Sequence, residues 1–348
     1  MKKYYRTICF SSVPLTSVFR YKEWFQIFPS DLTNQPQYSK ADHFPLIIES
    51  WIPDDGELFL PRMKTDFDND YVNTTVSDTG KQIVNTDNII FLLSAFTNHR
   101  FFKSESSGGV WGVPVVSEDI KEQAKNMTST WCWPMFHFPE LPDQFPIREF
   151  SKISLPKVNL VPHKSYYVNY PNLDYKKKDP ITFPDSIEML FDAYSSLASS
   201  EKGIFDNACA YIVSSMELRS KRKTLSMLAA FTAMETMVNL DDKTVNTQRC
   251  QNCNQLQYKV SQKFREFLLK YIGRSDKNKA KFNKIYSKRS KIVHRGERLE
   301  SEYLFSDVTE EIVGNEIQEQ VEVLQIGKMA VVNWLLINAL KFQMDETS

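Results

Sequence analysis

Apolar positions along this chain change period near residue 185. Before it they come in short runs rich in β-formers and broken by prolines: Thr7–Phe10, Phe44–Ile48, Leu58–Leu60, Val110–Val116 and Ser165–Val168. Runs of that length and composition predict strands. The run Thr86–Phe96 is longer; Thr86 or Asp87 could cap a helix there, and a strand fits it nearly as well. Asn169–Pro180 combines prolines with a charged stretch and reads as a linker. From Asp185 onward there is no proline, and apolar residues recur at helical spacing. Asp185 or Ser186 can cap a helix running to about Ser200, followed by helices over Phe205–Arg219, Arg222–Leu240, Gln257–Ile272, Lys277–Arg295 and Glu316–Lys341. Gly273 and Gly296 stand where helix C-termini favour a left-handed residue. The expected fold class is α+β: a mixed, sheet-containing domain over residues 1–180, then an all-α bundle over 185–348.

Within that bundle one charge is out of place. Around the Lys277–Arg295 helix, Phe282, Ile285, Tyr286, Ile292 and Val293 gather on one side, while Lys277, Lys281, Lys284, Lys288, Lys291 and Arg295 run down the other. Arg289 falls in the middle of the apolar stripe, where a charge needs a carboxylate partner, a function, or both. Five residues further, His294 occupies the last turn before Gly296, with an imidazole able to carry a proton near neutral pH. Five residues subtend about 140° on an ideal helix, so this geometry predicts that the two side chains do not share a face.

The string Arg289-Ser290-Lys291-Ile292-Val293-His294-Arg295-Gly296, preceded by Tyr286, resembles the Arg-x4–6-His signature of HEPN domains, and in particular of the Apea-like HEPN branch. Arg295 before the glycine is a departure from the branch's usual string. Ala230–Met237, with Glu235 among small and apolar residues, resembles the family's earlier helix, and Leu256–Phe267 its middle helix. The likeness covers roughly Ser186 to Lys341 and leaves the N-terminal half unassigned. It implies a dimerising helical bundle whose Arg and His line a shared cleft that cuts RNA without a metal or other cofactor. Many relatives serve in bacterial defence or toxin systems, where cleaving cellular RNA halts growth. On this reading Arg289 neutralises charge growing on the phosphate and His294 moves the proton. Glu235 is the candidate partner of Arg289, with an exposed helix acid as the plain alternative. Ser290 replaces the more strongly polar residue many HEPN nucleases carry after the Arg, and its hydroxyl would only assist.

Composition narrows the partner. With 43 basic and 43 acidic residues the chain has no net charge, so affinity for RNA has to come from local clustering. Arg274–Arg298 supplies it, holding only Asp276 and Glu297 as acids. Contacts from Lys281, Lys284, Lys288, Lys291 and Arg295 to phosphates would be sequence-blind and salt-sensitive, and transfer RNA is among the candidate substrates. The plain alternative is a solvated helix face.

Other motifs change little. Cys250 and Cys253 form half of a zinc site with no second CxxC after them; two free thiols on a loop is the simpler reading. Trp131–His137 is aromatic enough to stack on bases, but such density more often makes core, with His137 a satisfied buried histidine. Five cysteines and no export signal point to a reducing cytoplasm, and Met329–Leu340, interrupted by two asparagines, is too short for a bilayer span. The expectation is a cytoplasmic homodimeric endoribonuclease, its N-terminal domain sensing an unknown trigger. The alternative is a non-catalytic module of the same fold that binds RNA, a nucleotide or a protein.

Overall fold

The computed structural model describes residues 2–30, 44–53, 78–103, 145–168, 179–241, 248–249, 256–257, 260–303 and 308–345. They form two compact units: residues 1–161 with 172–183, and residues 162–171 with 184–348. The first carries a sheet and the second is helical, so the chain is α+β with an N-terminal sheet and a C-terminal helical region.

In the sheet unit β1 (Lys2–Ser11) is central. It pairs antiparallel with β4 (Phe44–Pro53) along its whole length, from Lys2↔Pro53 to Ser11↔Phe44. β3 (Phe25–Pro29) and β2 (Phe19–Tyr21) extend the sheet beyond β4. On its other side β1 pairs with β5 (Phe101–Phe102) and β6 (Phe145–Ile147). Leu46, Ile47 and Ile48 are all buried, as are Ile8, Cys9 and Phe10. Continuous burial, rather than alternation, marks strands covered on both faces. α1 (Asp78–Phe96) packs on the sheet, where Trp24 Nε1 donates to Asn85 Oδ1 (3.1 Å) and Asn85 Nδ2 donates to Ser50 Oγ (3.2 Å). α1 starts eight residues before the expected cap, so neither Thr86 nor Asp87 caps it; Thr86 is instead buried and takes a bond from Gln82.

A charge sits at the centre of this sheet. Glu49 is fully buried, opposite Arg6 across β1–β4 and opposite Gln26 across β3–β4. Arg6 donates through Nε (2.9 Å) and Nη2 (2.7 Å), Gln26 through Nε2 (2.7 Å), and Ser151 through its backbone N–H (2.7 Å) and hydroxyl (2.6 Å). Five donors satisfy both carboxylate oxygens, which a buried charge requires. β7 (Asn159–Val161) pairs with β8 (Thr182–Pro184), and Phe183 of β8 meets Phe19 edge-on.

Ser165–Val168 is not a strand. It lies in α2 (His163–Val168), where Pro162, needing no N–H at a helix start, accepts from Tyr166 N–H at 2.9 Å. Tyr166 and Tyr167 are both buried, although neighbours in a strand would face opposite ways. The His163 ring bridges Ser186 Oγ (2.6 Å) and Asn333 Oδ1 (2.8 Å). The runs Leu58–Leu60 and Val110–Val116 lie outside the described residues, as does most of the Asn169–Pro180 linker.

The helical unit follows the expected order: α3 (Ile187–Ser196), α4 (Ser199–Leu218), α5 (Lys223–Asp241), the short β9 (Gln248–Arg249) and β10 (Leu256–Gln257), α6 (Val260–Tyr271), α7 (Asp276–Arg295) and α8 (Glu310–Asp345). α5 is the hub, apolar on all sides, with α4, α6, α7 and α8 packed around it. Its alanines let neighbours come close. Gly327 of α8 sits against this surface, and a Cβ there would stand 3.2 Å from Ile212 Cδ1 and 3.7 Å from the Ala230 carbonyl. Among the described residues, α8 over Glu310–Asn338 is the one helix long and apolar enough to cross a membrane, and 67% of its most apolar window is buried inside the protein.

That burial includes a lysine. Lys328 of α8 is fully buried, and desolvation pushes its ammonium down to about 7 from 10.5; Cys209 opposes the shift slightly and Arg219 adds to it. Between those two values the unfolded chain holds a proton that the folded one has shed, so this group raises stability as pH rises through the window. Below it both states are protonated and the whole burial cost is felt. Lys328→Met should therefore stabilise the protein most at about pH 6 and progressively less towards about pH 10, by roughly 1.4 kcal/mol per pH unit at steepest. Urea denaturation of both proteins across that range checks it; a difference independent of pH would contradict it.

Candidate functional site

α7 is well delimited. Ser275 at its N-cap accepts from Asn278 N–H at 3.1 Å. Gly296 ends it with φ 65° and ψ 20°, the left-handed conformation expected there, and its N–H bonds to Lys291 O. Gly273, with φ 140°, also has a positive φ but lies outside that region. Phe282, Ile285 and Ile292 are buried on the apolar side, whereas Val293 is 42% exposed. Tyr286 packs its ring on Phe264 of α6 with centroids 5.4 Å apart.

Arg289 meets Glu235 of α5. Its Nη2 donates to Glu235 Oε2 at 2.9 Å, and Nε lies 2.8 Å from Oε1, an ion-pair contact whose angle falls short of a hydrogen bond. The side chains are only 16% and 24% exposed, and the guanidinium stands 5.9 Å from the Tyr286 ring centroid. A charge on the apolar stripe is thus paired across the helix interface.

The remaining guanidinium nitrogen turns to the motif's histidine: Arg289 Nη1 and His294 Nε2 are 3.3 Å apart at an exposed helix end. This corrects the expectation from helix geometry. The backbone positions diverge by about 140°, but the long arginine side chain spans the turn, so one helix of one chain brings the pair together. Arginine has only donors, so in a hydrogen bond between the two Nε2 is the acceptor. Ser290 lies one turn before His294, half-buried, at the i,i+4 spacing that places residues on one side of a helix.

The predicted phosphate-binding cations divide into two rows. Lys284, Lys291 and Arg295 are exposed; the first two have no partner among the described residues, and Arg295 lies 3.7 Å from Glu297. Lys281 and Lys288 face α8 instead, with Lys281 Nζ 2.5 Å from Glu322 Oε1 and Lys288 Nζ 3.2 Å from Glu319 Oε2. The five candidates therefore differ in their surroundings: three are exposed, and two are paired with acids of α8. Glu319 and Glu322 escaped the sequence reading, although Glu316, Glu319 and Glu322 recur every three residues along their helix.

Also missed was the clamp on the turn after His294. Glu302 accepts from the Thr224 backbone N–H at 3.0 Å and from its hydroxyl, while Thr224 Oγ1 accepts from Leu299 N–H at 2.9 Å. Glu316 accepts from Glu300 N–H (2.5 Å) and Ser301 N–H (3.3 Å). The turn is held to the start of α5 and to α8 through backbone amides, which no side-chain motif announces.

Cys250 and Cys253 lie outside the described residues, as do Cys132 and Trp131–His137. Cys9 and Cys209 are buried and free. Among the described residues no group of three or more His, Cys, Asp or Glu could hold a metal ion.

Removing one member of the Arg289–Glu235 pair leaves the other half-buried and unpaired. Glu235→Gln and Arg289→Gln should each cost about 1–3 kcal/mol, and the double variant less than their sum. Chemical denaturation of the four proteins reads the coupling; additive losses would mean that the pair does not hold α7 to α5.

Compared with protein-family models, with curated proteins and with solved structures, the chain matches none.

Proposed function

We propose that the helical unit is a metal-independent endoribonuclease of the HEPN type, serving growth arrest in defence against phage or in a toxin system. The observation that carries this reading is the Arg289–His294 contact: an arginine held by Glu235 and a histidine side by side at an exposed helix end, beside a row of exposed cations.

The chemistry follows from what each group can do. A phosphodiester reaching Arg289 is a charged acceptor, stronger than an imidazole nitrogen, so Nη1 turns to it and His294 Nε2 is released. Nε2 takes the proton of the 2′-hydroxyl as that oxygen attacks phosphorus. The bond from phosphorus to the 5′-oxygen breaks, and the departing oxygen takes the proton back from the imidazolium. The products are a 2′,3′-cyclic phosphate and a 5′-hydroxyl. Arg289 neutralises charge on the non-bridging oxygens, and Glu235 acts as a positioning residue, occupying Nε and Nη2 so that Nη1 is the donor left to aim. Ser290, next to the arginine and one turn from His294, is the neighbouring hydroxyl available to the phosphate. Lys284, Lys291 and Arg295 hold flanking phosphates.

In this reading two copies form the working unit, doubling a row too short to grip RNA alone, and the N-terminal sheet unit senses the trigger. A second reading, an RNA-binding module without cleavage, rests on the same contact, in which Arg289 Nη1 and His294 Nε2 meet one another.

His294→Ala should leave the melting temperature nearly unchanged, because the side chain is exposed, and lower cleavage by roughly 100-fold or more. Wild-type cleavage should persist in excess EDTA and yield 2′,3′-cyclic phosphate ends. If His294→Ala cleaves as fast as wild type, or the ends are 3′-hydroxyls, the nuclease reading fails; RNA bound but never cut supports the second. Light scattering should report twice the chain mass of 40.6 kDa, and a monomer that still cleaves would overturn the two-copy unit.

A further inference from the structure

Five of the cations of α7 fall in two lines with different surroundings. Lys284, Lys291 and Arg295 form the exposed line, with spacings of about 10 Å and about 6 Å along the axis, and it ends beside His294. Lys281 and Lys288 form the other, one i,i+7 step apart, and each meets a carboxylate on α8, Glu322 and Glu319 respectively, three residues apart. The four side chains are 24–42% exposed, so neither ion pair is sealed from solvent or from a competing anion.

We propose that Glu319 and Glu322 set the RNA footprint of the helical unit by occupying Lys281 and Lys288 in competition with phosphates. This inference rests on the reading of the unit as an RNA-cleaving module. A strand lying along the line that leads to His294 meets exposed charges that α8 does not occupy. To engage the other line, it has to exchange a carboxylate already in place for a phosphate. Half-exposed ion pairs resist such exchange weakly, each by about 1.5- to 5-fold in equilibrium terms. Together they lower affinity for RNA lying across the α7–α8 face and leave the productive line untouched. They also reduce salt dependence, because the carboxylate freed when its lysine takes a phosphate attracts a cation and offsets the counterion released from the RNA. The acids are placed to bias where the strand lies. They do not shut the site.

The test uses the full chain carrying His294→Ala, so that bound RNA stays intact, with a fluorescently labelled single-stranded RNA oligomer as the probe. E319Q/E322Q should bind about 2- to 30-fold tighter and steepen the dependence of log affinity on log salt by up to about 1.4, the contribution of two further phosphate contacts. The same substitutions in a K281Q/K288Q background should change neither quantity. E310Q/E311Q, which removes equal charge from an exposed position on the same helix, should change affinity by less than 2-fold and leave the slope unaltered. An equal gain in the lysine-less background or in E310Q/E311Q overturns the proposal in favour of bulk charge. RNA binding that E319Q/E322Q leaves unchanged overturns it alone. No RNA binding by any variant overturns the nuclease reading as well, which separates the two failures.

Discussion

The pairing of Arg289 with Glu235 is the constraint on which the candidate site depends. An arginine on the apolar side of α7 is tolerable only because α5, the hub of the bundle, presents a carboxylate at the same level. That pairing is compatible with one rotation of α7 about its own axis, the one that also buries Phe282, Ile285 and Ile292. In that rotation, Ile285 and Ile292 face inward, Lys284 and Lys291 face water, and Lys281 and Lys288 reach the acids of α8. The charge pair and the buried apolar residues beside it agree on one orientation of the helix, including the end that carries His294.

The sheet unit solves a similar problem differently. Glu49 is fully buried, and its oxygens take five donors from Arg6, Gln26 and Ser151, leaving no capacity for anything further. Arg289 is held by one carboxylate and keeps a nitrogen at the surface, turned towards an imidazole. The first arrangement is closed and locks strands together. The second remains open to a better acceptor, and this difference, more than the amount of charge, separates a closed structural centre from the candidate site.

Much of the helical unit was legible because its signals are local. The helices, their order and the left-handed Gly296 follow from periodicity and capping, and Arg289 stood out by breaking its own stripe. The partner Glu235 could be named because it breaks the apolar pattern of its helix in the same way. What escaped depends on contacts between distant segments. Glu319 and Glu322 look like ordinary helix acids until α8 is laid beside α7, and the clamp after His294 runs through backbone amides. The 140° argument failed because it located Cβ positions and ignored the reach of an arginine. Ser165–Val168 misled because two aromatic residues and a valine suit a strand, while Pro162 just before them opens a helix.

His163 gives the change of period near residue 185 another meaning. α2 precedes that boundary in sequence yet belongs to the helical unit, where the His163 ring joins Ser186 to Asn333 of α8. Residues 172–183 then return to the sheet unit. The chain changes unit three times, so the two units alternate along the sequence. A cut at the obvious boundary would take α2 from the bundle and leave Ser186 and Asn333 without the ring between them. For this protein the separable module differs from the contiguous one, and any dissection has to follow the contacts instead of the numbering.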